Sequence, residues 1–111
     1  GVFMDYQVII ISQKYYELTD QLSSLILDKC VIVDDNSLIY DNQTYYFNYL
    51  IIDDDTLVSN LKLEKDDNFI ITNYYQETSA NNIFAIGDIV KTNRSLKEQL
   101  EIIVNYIING E

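Results

Sequence analysis

The sequence predicts an α/β domain, and three observations carry that expectation. Several short runs are dense in β-branched and aromatic residues, one long C-terminal stretch has helical periodicity, and polar turn clusters separate them. At 111 residues and 13.0 kDa the chain is long enough for a real core but not for two independent domains. A single domain over 1–111 is therefore expected.

Residues 6–12 (YQVIIIS) form a nearly continuous apolar run, which suits a strand covered on both faces. In 13–27, Tyr16, Leu18, Leu22, Leu25 and Ile26 are spaced roughly as one face of a helix, and a helix is predicted there. Residues 30–33 (CVIV), 38–40 and 44–52 read as three strands separated by turns at 34–37 and 41–43. Those connections are too short for crossover helices, so an antiparallel meander follows. A short helix is expected from Thr56 over Leu57, Val58 and Leu61, then brief strands at 69–72 and 83–86. Residues 95–108 place Leu96, Leu100, Ile103, Val104 and Ile107 on one stripe. Ser95 with Glu98 is a capping box, and Asn109-Gly110 a natural stop.

Charge and residue choice exclude whole classes of function. Seven Lys and Arg against eighteen Asp and Glu give a formal charge of -11, which repels phosphate backbones and anionic lipid. Neither nucleic-acid nor membrane partners are expected. No apolar run approaches a bilayer span and the start is not basic, so a cytoplasmic location is expected. Cys30 is the single cysteine and histidine is absent, which removes Cys-x-x-Cys pairs, Ser-His-Asp triads and His-based metal sites. Abundant Ile, Asn and Tyr, one arginine (Arg94), two alanines (Ala80, Ala85) and no proline point to an A/T-rich genome. Tyr45-Tyr46 and Tyr74-Tyr75 therefore do not by themselves mark a ligand site.

Asp34-Asp35, Asp53-Asp54-Asp55 and Asp66-Asp67 each close an element. None has the alternating oxygen ligands, central glycine and closing glutamate of a calcium loop, so solvated turns are expected. Cys30 opens an apolar strand with no cation near it in sequence, as a small core residue does. Glycine occurs only at positions 1, 87 and 110. Ser12-Gln13-Lys14 thus stands where a dinucleotide fold would carry its glycine loop.

The segment 69–89 (FIITNYYQETSANNIFAIGDI) is different. Residues 83–86 form a buried strand candidate running to the carboxyl edge of a sheet, where α/β proteins bind ligands. Gly87 has no Cβ to hold a ligand off the backbone, and Asp88 can accept hydrogen bonds from sugar-like hydroxyls. Phe69-Ile70-Ile71-Thr72, Thr78-Ser79 and Ile83-Phe84-Ala85-Ile86-Gly87-Asp88 together resemble the C-terminal signature of thioredoxin reductases. Related pyridine nucleotide–disulfide oxidoreductases share it.

The resemblance implies FAD, with Asp88 on a ribityl hydroxyl, Gly87 allowing close approach and the Ile89 amide facing the cofactor. It puts Asn82 where the family usually has glycine, a change asparagine tolerates because it accepts positive φ. More weakly, 6–52 follows the element order of the latter half of the family's pyridine-nucleotide domain, and 68–111 that of its C-terminal flavin-domain segment. The implied fold is an incomplete Rossmann-like, FAD/NAD(P)-binding-like sheet with a β-meander and a C-terminal helix.

The FAD fingerprint, the NADPH loop and the redox cysteine pair have no counterpart. With Gln99 taken as the family's helix glutamine, its small residues beneath the flavin become Ile103 and Ile107, which fill that space. Two functional expectations stand. One is a C-terminal portion or degenerate relative of an FAD-dependent, NADPH-using disulfide oxidoreductase, not catalytically complete alone and with no catalytic residue of its own. The other is a non-catalytic acidic module for binding or assembly, without flavin. A homodimer or a complementing chain is the implied partner.

Overall fold

A computed structural model describes residues 4–111. The elements run β1 (Met4–Ile11), β2 (Ser24–Leu27), β3 (Cys30–Asp34), β4 (Ser37–Tyr40) and β5 (Gln43–Ile52). β6 (Val58–Ser59), β7 (Lys65–Asp66), β8 (Phe69–Ile70), β9 (Ile83–Ala85) and α1 (Leu96–Asn109) follow. The chain is thus α/β: a mixed seven-stranded sheet in the order β2-β1-β5-β4-β3-β6, with β9 also on β5, and a C-terminal helix. β7 and β8 form a separate hairpin.

β5 organises the sheet. β1 lies parallel to it along almost its whole length. Along its other edge it pairs first with β4, antiparallel, and then with β9, parallel. β3, β4 and β5 make the expected antiparallel meander. Because β1, β5 and β9 are parallel, Ile11, Ile52 and Ala85 end abreast. The next residues of all three strands therefore project onto one rim.

Side chains alternate across these strands and build two cores. Ile9, Ile11, Leu50, Ile52, Ile83 and Ala85 face β3, β6 and the hairpin side. Val8, Ile10, Ile51, Phe84 and Ile86 face α1, through Leu96, Leu100, Ile103 and Val104. Val8 to Ile11 are fully buried, as the unbroken apolar run requires. α1 begins at the predicted capping box and ends on Gly110 in the left-handed region, which favours glycine.

The helix expected over 13–27 does not form. Residues 13–23 are irregular and β2 pairs parallel with β1. Serine and threonine oxygens offer the backbone alternatives to helical bonds here. Ser12 Oγ accepts from Lys14 N, Thr19 Oγ1 from Gln21 N, and Ser23 Oγ from Gln7 N. Sheet pairing then decides the conformation of Leu25 and Ile26. The helix expected from Thr56 reduces to one 3-10 turn, Asp55–Leu57. Val58, expected inside it, instead starts β6 and pairs with Cys30. The strand expected at 69–72 is limited to Phe69–Ile70.

Candidate functional site

Residues that follow the level ends of β1, β5 and β9 line a crevice of about 760 Å³. That volume falls within the usual range of small-molecule sites. Gly87, Asp88 and Ile89, the three positions singled out in the sequence, all line it. They form a single 3-10 turn directly after β9, entered through Ile86 in extended backbone. Gly87 has φ +79, and an added Cβ would stand 3.8 Å from Asp53 Cβ. Space is ordinary there, so the backbone conformation is what demands glycine. Asp88 is exposed, and its carboxylate has no hydrogen-bond partner among the described residues.

The loop ahead of β9 explains the rest of the motif. Thr78 Oγ1 accepts from Ala80 N at 3.2 Å and donates to the Ile83 carbonyl at 2.8 Å, closing the turn that launches the strand. Asn82 sits at φ 66, the positive value expected where the family has glycine. Thr78 is thus an architectural part of the motif, and Gly87-Asp88 the part that lines the crevice.

Sequence reasoning missed Asp53. It treated the 53–55 aspartates as a solvated turn, but Asp53 gathers the distant segment 12–16. Ser12 Oγ and Tyr16 Oη each donate to Asp53 Oδ2 at 2.6 Å, and Ser12 is buried. Charge-assisted bonds of this length are among the stronger ones in proteins. Burial, then the hydrogen bond to Asp53 and that carboxylate's charge, push the Tyr16 hydroxyl well above its ordinary range. The smaller contribution of Asp88 acts in the same direction. Tyr16 is therefore a permanent donor at neutral pH. Asp53 Oδ1 has no donor among the described residues. The legible signal was placement: Asp53 follows its strand just as Gly87-Asp88 follows β9.

A second network was also missed. Gln99, the first candidate for the family's glutamine, is buried and accepts from Gly87 N at 2.9 Å. It donates to the Arg94 carbonyl at 3.1 Å. Gln76, buried at φ 69, donates to the Ala85 carbonyl at 3.0 Å and accepts from Arg94 Nη1 at 2.9 Å. This network locks the Gly87 turn to the start of α1. Ile103 and Ile107 pack in the core between α1 and the sheet and do not line the crevice. Leu96 and Gln99 are the α1 residues on the crevice wall.

The crevice wall carries both carboxylates and cations. Asp88 and Asp53 set their carboxylates on that wall beside Gly87. Gln13 and Lys14 line the crevice where a diphosphate would need a glycine loop, and their side chains prevent close backbone approach. Cys30 is buried on the far side of the sheet from α1, and burial pushes its thiol up to about 12. No cluster of three metal-ligating side chains occurs among the described residues. Nor, among them, is any helix long and apolar enough to cross a membrane.

No family model matches the chain, and no curated protein matches it. Among solved structures, a ferredoxin–flavin thioredoxin reductase from Clostridium acetobutylicum is a weak structural neighbour. It is 13% identical with a TM-score of 0.35, over 91% of this chain and 48% of that one. The chain thus spans about half the length of that reductase. A superposition this loose fixes neither family nor cofactor, so the site must be judged on its own residues.

Proposed function

We propose that the chain is a C-terminal portion or reduced relative of a thioredoxin reductase-like disulfide oxidoreductase. In this reading it acts as a flavin-binding element and not as a complete catalyst. The observation that carries it is the carboxyl rim of three parallel strands. There a left-handed glycine and an unengaged Asp88 carboxylate face the same crevice as Asp53. The incomplete Rossmann-like sheet belongs to the same reading, with β2, β1, β5 and β9 as its parallel part.

Asp88 accepts hydrogen bonds from ribityl hydroxyls, Gly87 keeps the wall shallow, and Ile89 follows on the same turn. Tyr16 and Ser12 hold Asp53 in place, so its free oxygen is oriented before a ligand arrives. A bound flavin would supply hydride transfer from NADPH toward a disulfide. The NADPH loop and the redox cysteines would come from another segment, a second copy or a complementing chain.

Riboflavin tests the reading because it carries the ribityl chain without phosphates. Titration followed by quenching of flavin fluorescence is expected to show saturable binding. Asp88→Ala should weaken it about tenfold or more, the worth of a hydrogen bond to a charged group. Absence of saturable quenching, or an Asp88→Ala variant that binds as the wild type does, would contradict the proposal.

A further inference from the structure

The chain has only seven cationic side chains, and three of them, Lys14, Lys91 and Arg94, line this one crevice. Asp53, Asp54 and Asp88 line it too, so the crevice is balanced three against three. The rest of the chain holds four cations against fifteen carboxylates. A neutral pocket within so acidic a protein is where an anionic group meets least repulsion.

Arg94 is already oriented for such a group. Its Nη1 donates to the Tyr74 carbonyl at 2.7 Å and to Gln76 Oε1 at 2.9 Å, and its guanidinium carbon lies 4.5 Å from the Tyr74 ring centroid. Nε and Nη2 donate to no described protein group. A planar fork held on one nitrogen keeps its remaining donors for an oxyanion. Lys14 and Lys91 are exposed and their ammonium groups make no ion pair among the described residues, whereas Lys65 is paired with Asp55 at 2.7 Å.

We infer that the crevice selects polyol monophosphates. The carboxylates of Asp53 and Asp88 take the hydroxyls, while Lys14, Lys91 and Arg94 take the phosphate. This inference rests on the ribityl reading above and deepens it. One phosphate is what side-chain cations can hold without a glycine loop, so a ribityl phosphate fits where a dinucleotide diphosphate does not.

Binding of FMN, riboflavin and inorganic phosphate to the full chain tests it. At low salt FMN should bind about tenfold tighter than riboflavin, and salt should erode the difference by screening. Lys14→Gln with Lys91→Gln should cut the FMN advantage about threefold or more, leaving the part that Arg94 carries, and should change riboflavin binding less than FMN binding. Neither lysine ammonium makes a structural contact whose loss would confuse the result, so folding is retained. Inorganic phosphate should compete with FMN but not with riboflavin. Equal affinity for the two flavins, or an FMN advantage undiminished by the double substitution, overturns the inference and leaves the ribityl reading standing. FMN binding that needs the lysines but ignores Asp88→Ala, with riboflavin not bound, overturns the ribityl reading and leaves the phosphate subsite. Binding of neither flavin overturns both.

Discussion

Asp53 and Asp34 both sit at the end of a strand, and both head an acidic run, yet they do opposite things. Asp34 Oδ1 accepts from Asn36 N at 2.9 Å and Ser37 Oγ at 2.8 Å, all within its own turn. These bonds hold the carboxyl below its ordinary range. Asp53 instead accepts from Ser12 and Tyr16, 41 and 37 residues away in sequence. Its position next to the level ends of β1 and β9 makes the difference, since the Asp34 carboxylate meets only donors of the β3–β4 turn. An aspartate after a strand is punctuation where neighbouring strands run antiparallel. It becomes a gathering point where parallel strands end together.

Asp53→Ala is the strongest way to break this comparison. It leaves the buried Ser12 hydroxyl and the half-buried Tyr16 hydroxyl without their acceptor. The expected loss is about 3 kcal/mol of unfolding free energy, read from urea midpoints. Tyr16→Phe removes one donor and keeps the ring, so about 1 kcal/mol is expected after allowance for partial exposure. That loss should depend on pH. Tyr16 is raised in the folded state, so its contribution is complete below the unfolded value of about 10 and disappears as pH climbs through the folded value. Wild type and Tyr16→Phe should therefore converge in alkali.

Asp34→Asn should cost least, and its signature lies at the other end of the scale. A lowered carboxyl contributes above the unfolded value of about 3.9, and that contribution is lost as pH falls through the folded one. The variant should show a flatter acid limb and an unchanged alkaline one. An Asp34→Asn loss as large as that of Asp53→Ala would erase the distinction between the two ends. Cys30, which opens the strand that Asp34 closes, should show no effect at all in the folded state. Its buried thiol is expected to react with disulfide reagents only as fast as the chain unfolds.

Sequence patterns that are local were readable, and those that depend on meeting a distant partner were not. The capping box of Ser95 and Glu98, the left-handed Gly110 and the meander all follow from neighbours within a few residues. So does the burial of Val8 to Ile11, which needs only an unbroken apolar run. Residues 24–27 were misread because a spacing near 3.6 in a short apolar run does not distinguish a helix from a strand, and pairing with β1 decided it. Gly87-Asp88 stood out in the sequence because it closes an ordered motif, 69–72, Thr78-Ser79 and 83–88, in which every part lies close along the chain. Asp53 looked like every other aspartate in a turn, and Gln76 and Arg94 have no local pattern to betray them. Their roles exist only once β1, β5, β9 and α1 are assembled.

Backbone amide shifts during a riboflavin titration compare the two acidic ends in one experiment. Changes should concentrate at Gln13, Lys14, Asp53 and Gly87 to Ile89, with Asn36 and Ser37 unmoved. Shifts centred on the Asp34 turn, or scattered over the sheet without the Gly87 turn among them, would contradict a ligand seat at the carboxyl rim.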